Sequence, residues 1–169
     1  MAIVQQLARP TMDQLGRCRE SVEELHRLCS FEMLPAGDHL DLDWAPDPLM
    51  RLGRLTSITA AAEAAISKAL SDSIEVNPAY REHQDTIWGH PVTYLEQDDV
   101  AEVASGLAAI DAPAVIGGLP RWNRRINSRL FDGQKASDPK HYLLQHLAAL
   151  RTFYSEAAQA GRAVVLWWD

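Results

Sequence analysis

AVVLWW, residues 163–168, is apolar at every position. A strand with one wet face alternates apolar and polar residues. An unbroken apolar run is expected where both faces of a sheet are covered. The stretch therefore predicts an interior strand in a layered α+β domain. Just upstream, Tyr142, Leu143, His146, Leu147, Leu150, Phe153, Tyr154 and Ala157 recur at helical spacing. Ser137 is the expected cap of that long helix, with Pro139 near its start. Gly161 stands where a helix C-terminal glycine is expected.

Towards the other end of the chain, Ala2 to Ala8 reads as a short strand that Arg9-Pro10 ends. Thr11-Met-Asp-Gln14 is a capping-box pattern and opens one helix reaching Cys29, with Leu15, Cys18, Val22, Leu25 and Cys29 on its stripe. Residues 38–44 read as a second strand. Leu40, Leu42 and Trp44 alternate with His39, Asp41 and Asp43, so a period of two turns the first set inward and the second outward. Helices follow from Asp47-Pro48 and over the Ala-rich stretch Thr59 to Leu70. Residues 71–91 are turn-rich, broken at Asn77-Pro78 and His90-Pro91, and 91–95 is a third short strand. Gln97-Asp98-Asp99 opens a helix whose acids suit the positive end of its dipole. Arg121 to Phe131 forms a short helix. The expectation is one α+β domain over 1–169: a mixed sheet of about four strands (2–8, 38–44, 91–95 and 163–168) covered by five or six helices, with the C-terminal strand interior.

Length and charge narrow the classes. At 169 residues the chain is about one domain long and buries roughly 70% of its unfolded surface, enough for a full core without staples. A net charge of −7 argues against a general nucleic-acid binder, which needs Lys and Arg to neutralise phosphates. Cys18 and Cys29, read on one helix, stand too far apart for a disulfide and suit a reducing cytosol. The segment MAIVQQLARP has neither the basic region nor the apolar stretch of a signal peptide, and no run approaches the roughly 20 residues of a membrane helix. The expected setting is cytoplasmic, without a membrane or nucleic-acid partner.

Several segments resemble the YfbM-like family of small bacterial proteins: PVTYLEQDDVAEVASGLAAID (91–111), YLLQHLAALRTFYSEAAQAGRAVVLWWD (142–169) and LDLDWAPDPLMRL (40–52). In that family an acidic helix start follows a short strand, and a long helix with a Phe-Tyr pair runs through a Gly turn into an apolar strand. The resemblance implies helices packed on a mixed sheet. The family's function is unknown, so it supplies no catalytic residues.

Three constellations could carry chemistry. On the second strand His39, Asp41 and Asp43 point one way at steps of about 6.6 Å, and could hold a divalent metal if a further ligand came from His83, Asp85 or His90. The same alternation describes the solvated face of a half-exposed strand, and the six residues could equally line a polar binding cleft without metal; neither metal nor cofactor is assigned. Residues 77–90 gather Tyr80, Arg81, His83, Asp85, Trp88 and His90 in a loop, as either a ligand or partner surface or a lid plugging the core edge. With Trp44 and Trp122, the residues Tyr80, Arg81 and Trp88 make the candidate binding surface. Arg121, Arg124, Arg125 and Arg129 form a basic ridge that could bind an anion or dock on the acidic N-terminal half. His146 on the apolar stripe reads as a core histidine, and no phosphate-loop, GxGxxG, GxSxG or HExxH motif is present.

Two functions follow. The preferred one is a non-catalytic binding or protein-interaction domain, monomeric or homodimeric, with an unknown protein partner. The alternative is a metal-assisted or His-dependent hydrolase on the His39, Asp41 and Asp43 face.

Overall fold

The two ends of the chain meet at the middle of the sheet. In the computed structural model β1 (Gln5–Ala8) and β4 (Val164–Trp168) pair antiparallel, with Leu7 opposite Leu166. On one side of this pair β2 (His39–Asp41) joins β1; on the other β3 (Thr93–Leu95) joins β4. The order is β2-β1-β4-β3, so β4 is interior, as its apolar run demands. Residues 74–76 extend the β3 edge through Val76 N–H to Val92 O (3.0 Å) and Tyr94 N–H to Ile74 O (3.0 Å). The structure describes residues 4–55, 58–71, 74–86, 90–119, 124–131 and 138–169, without the side chains of 53–55 and 124–127.

All three strand pairs are antiparallel, which corrects the expected mixed sheet. The cause lies in the helix expected over 11–29. It breaks into α1 (Met12–Glu20) and α2 (Val22–Cys29) at Ser21, whose extended backbone ends α1. The Ser21 hydroxyl accepts the Glu24 N–H at 3.2 Å and so caps α2. The two helices fold against each other and return the chain to the end of the sheet that it left. His39 therefore pairs with Ala8, and β2 runs back along β1. The Thr11 capping box forms as read: Gln14 N–H to Thr11 Oγ1 (3.2 Å) and Thr11 N–H to Gln14 Oε1 (2.9 Å).

The sheet alternation sorts the core into two layers. Leu7, Leu95, Val164 and Leu166 pack on α3 (Pro46–Leu55), α4 (Ala60–Leu70), α5 (Gln97–Ala108), α6 (Ala112–Gly117), α7 (Arg124–Phe131) and α8 (Pro139–Gln159). Ala8, Tyr94, Val165 and Trp167 pack on α1, α2 and the 3₁₀ turn Pro78–Glu82. The described residues thus hold eight α-helices rather than five or six, the surplus coming from the break at Ser21 and from α6. Gly161, at φ +60°, closes α8 in the left-handed conformation expected for a helix-ending glycine.

Ion pairs tie the joints. Asp38 receives Arg9 Nε at 2.8 Å and Arg162 Nη1 at 2.6 Å, and Arg9 also pairs with Glu156 of α8. Burial alone would raise the Asp38 carboxyl, but hydrogen bonds from Arg162 and Arg9 outweigh it and hold it below the usual carboxylate range. A lowered folded-state value means stabilisation that is present above the unfolded-state pKa of about 3.9 and is lost as pH falls through the folded value. Wild type and Asp38→Asn should differ in denaturation midpoint at pH 7 and converge in acid below pH of about 4. Parallel curves across that range would show that the Arg9–Asp38–Arg162 joint contributes nothing.

Candidate functional site

A cleft of about 480 Å³ opens where α2, the Pro78–Glu82 turn and the end of β4 converge. The turn is locally determined. Asn77 Oδ1 accepts the Ala79 N–H (3.0 Å), and Pro78 supplies the fixed φ of a helix start. Tyr80 is thereby swung inward and buried. Beyond it, the Thr86 hydroxyl donates to His83 O (2.7 Å), and the backbone N–H of Thr86 bonds the same carbonyl (3.1 Å). This closed loop carries His83 and Asp85 against α2.

There they meet His26. The His26 and His83 rings lie 4.4 Å apart, and Tyr80 stacks on His83 at 5.0 Å and 12°. His26 Nδ1 stands 3.7 Å from Asp85 Oδ2, and His83 Nδ1 stands 3.6 Å from the same oxygen. The Tyr80 hydroxyl is 3.4 Å from His26 Nδ1, and Ser30 Oγ is 3.3 Å from His26 Nε2. Trp167, Trp168 and Asp169 also line the cleft, with Cys29, His90 and Val92. The indole Nε1 of Trp167 is buried and finds no hydrogen-bond partner among the described residues. Burial pushes the Cys29 thiol and the Tyr80 hydroxyl up, so both stay protonated at neutral pH and Cys29 is no thiolate nucleophile.

The structure gathers part of the loop constellation and disperses the rest. Tyr80, Asp85 and His90 line this cleft, with His83 at its edge through the Tyr80 stack. Arg81 turns away to pair with Glu75. Trp44 stands elsewhere, exposed beyond β2. Trp88, Trp122 and Arg121 lie outside the described residues, as do the side chains of Arg124 and Arg125; Arg129 is exposed on α7.

The strand constellation does not converge, which corrects its expected common face. The strand ends at Asp41, whose Oδ1 accepts the Asp43 N–H at 2.7 Å and draws Asp43 to φ +50°. Asp43 then accepts the Tyr142 hydroxyl of α8 at 3.1 Å, on the larger helical layer. His39 lies on the opposite layer, 5.0 Å from the Phe31 ring and 6.2 Å from Trp167. Desolvation there lowers the His39 pKa and favours a neutral ring. His146, half-buried beside Tyr142 at 4.3 Å, sits on the apolar stripe and is likewise lowered by burial. The functional candidate that the sequence reading missed is His26. A signal existed: His26 falls between Val22 and Ser30 at steps of four, beside the Leu25 and Cys29 stripe.

Comparisons with known proteins agree on the fold. No curated protein matches the chain. The crystal structure of YfbM from Escherichia coli, a protein of unknown function, matches with a TM-score of 0.60 at 16% identity, covering 98% of this chain and 99% of that one. Likeness at that identity shows shared architecture alone. The family model described as a domain of unknown function, DUF1877, matches residues 3–167. With nearly its whole length so matched, the chain belongs to the DUF1877 family.

Proposed function

We propose that the protein is a non-catalytic binding domain whose ligand occupies the cleft between α2, the Pro78–Glu82 turn and the end of β4. One observation carries the reading: Trp167 and Trp168 line, together with the polar residues His26, Ser30 and Asp85, one cleft of about 480 Å³. Small-molecule sites commonly measure about 300–1,000 Å³ and pair apolar walls with a few placed polar groups. The matching ligand is a small, planar, polar molecule, or a side chain of that kind presented by a partner protein. A cytoplasmic setting suits the two free cysteines, and no helix among the described residues is long and apolar enough to cross a membrane. The hydrolase reading on His39, Asp41 and Asp43 gains no support from side chains that stand on opposite layers.

A panel of planar polar fragments, screened by amide chemical-shift mapping, tests the reading. Fragments should move Ser30, Thr86 and Val92. A bulky Gln84→Trp substitution on the exposed rim should abolish those shifts without altering the fold. Shifts scattered over α8, or unchanged by Gln84→Trp, would remove the cleft as the site.

A further inference from the structure

We infer that His26, His83 and Asp85 form a divalent transition-metal site in the wall of the cleft. The inference rests on the reading of the cleft as the binding site and adds the ion that would hold a ligand there.

One carboxylate oxygen of Asp85 stands between two imidazole nitrogens without a direct hydrogen bond to either. A contact of 3.6 Å is too long to be a hydrogen bond. Asp85 Oδ2 stands 3.6 Å from His83 Nδ1 and 3.7 Å from His26 Nδ1. Three ligand atoms, one from each residue, lie within 4.8 Å of one another. Atoms bound about 2.0–2.2 Å from one tetrahedral ion are themselves separated by about 3.3–3.6 Å. The two nitrogen–oxygen distances fall at or just beyond that separation, so a small adjustment would bring all three ligand atoms onto one ion.

The donor set fits this chemistry. Two imidazoles and one carboxylate suit zinc or ferrous iron rather than calcium or magnesium, which prefer all-oxygen shells. Three protein ligands leave at least one coordination position open, and here it would face the cleft. Supporting contacts are in place as well. Ser30 Oγ, 3.3 Å from His26 Nε2, can accept that N–H and leave Nδ1 for the ion. The Tyr80 ring stacks on His83 and fixes its plane. Binding through His83 Nδ1 replaces the 3.3 Å hydrogen bond that this atom accepts from the Asp85 backbone.

The experiment uses the full chain stripped with a chelator, then titrated with zinc chloride by calorimetry and with cobalt chloride by visible absorption. One ion should bind per chain, and cobalt should show the ligand-field band of a nitrogen and oxygen site. Asp85→Asn, on an exposed residue, should weaken zinc roughly tenfold or more, His26→Ala and His83→Ala at least as much, and Ser30→Ala by a smaller factor. His141→Ala, an exposed histidine on α8, should bind as wild type. Absence of saturable binding, or equal affinity in wild type and Asp85→Asn, overturns the site; circular dichroism confirms that each variant is folded. If zinc does not bind but planar fragments still do, the metal inference fails alone. If zinc binds but no fragment does, the site stands and the wider cleft reading fails.

Discussion

Leu166→Ala is expected to lower folding stability by about 2–5 kcal/mol, because the deleted methyl groups leave a cavity that the surrounding helices fill only in part. Leu166 is 2% exposed, opposite Leu7 on β1 and Thr93 on β3, beneath the larger helical layer. For a chain of this length the loss corresponds to roughly 4–20 °C in melting temperature. Leu166→Met, which nearly conserves volume, should cost less than about 1.5 kcal/mol. Urea denaturation of the two variants separates cavity formation from any general intolerance of substitution. A loss below about 1 kcal/mol in the alanine variant would mean that β4 is not enclosed between layers.

Gly106→Ala should also destabilise, by about 1–3 kcal/mol, against the trend of helix propensity. Alanine is favoured over glycine within a helix by about 1 kcal/mol, and on an open helix the substitution would stabilise. Gly106 lies where α5 meets α4, however, and a Cβ there would stand 2.5 Å from the Cβ of Ala65. Ala65 has no longer side chain to swing aside, so the two helices must separate. The Lys68 bridge to Asp99 and Glu102, 2.7 Å to each, resists that separation. The contact also predicts coupling. Ala65→Gly alone loses propensity, but in the background of Gly106→Ala it should recover much of the lost stability, with an interaction energy of about 0.5–3 kcal/mol. Additive effects in this double-mutant cycle would show that the helices do not approach so closely.

The contrast between these two sites shows which features the sequence carries. The apolar run at 163–168 encodes an interior strand because both of its faces must be dry. The Thr11 cap and the Gly161 turn are equally local, each decided by a side chain or a φ angle within four residues. The antiparallel sheet was not legible, since it depends on α1 and α2 folding back at Ser21. The apolar stripe runs unbroken through that position, although Ser21-x-x-Glu24 is itself a capping pattern. The wet face of 38–44 misled for a related reason. A carboxylate two residues before a backbone N–H captured it, and Asp43 left the strand. Of the site, the sequence yields the loop members Tyr80, Asp85 and His90 as neighbours. Their junction with His26 is a property of three dimensions, since α2 and the loop are brought together only by packing on the β4 face.

The pairing of Gln5 with Trp168 sets a timetable for biogenesis. On the ribosome β1 is made long before its central neighbour β4, with helices α1 to α8 translated between them. At about 5–20 residues per second, β1 waits on the order of ten seconds with a free edge, joined at most by β2. Such a distant pairing slows closure and leaves a strand edge open to other nascent chains meanwhile. The pair at the centre of the sheet is thus sealed only when β4 arrives, and translation speed through the residues between β1 and β4 governs how long it stays unsealed.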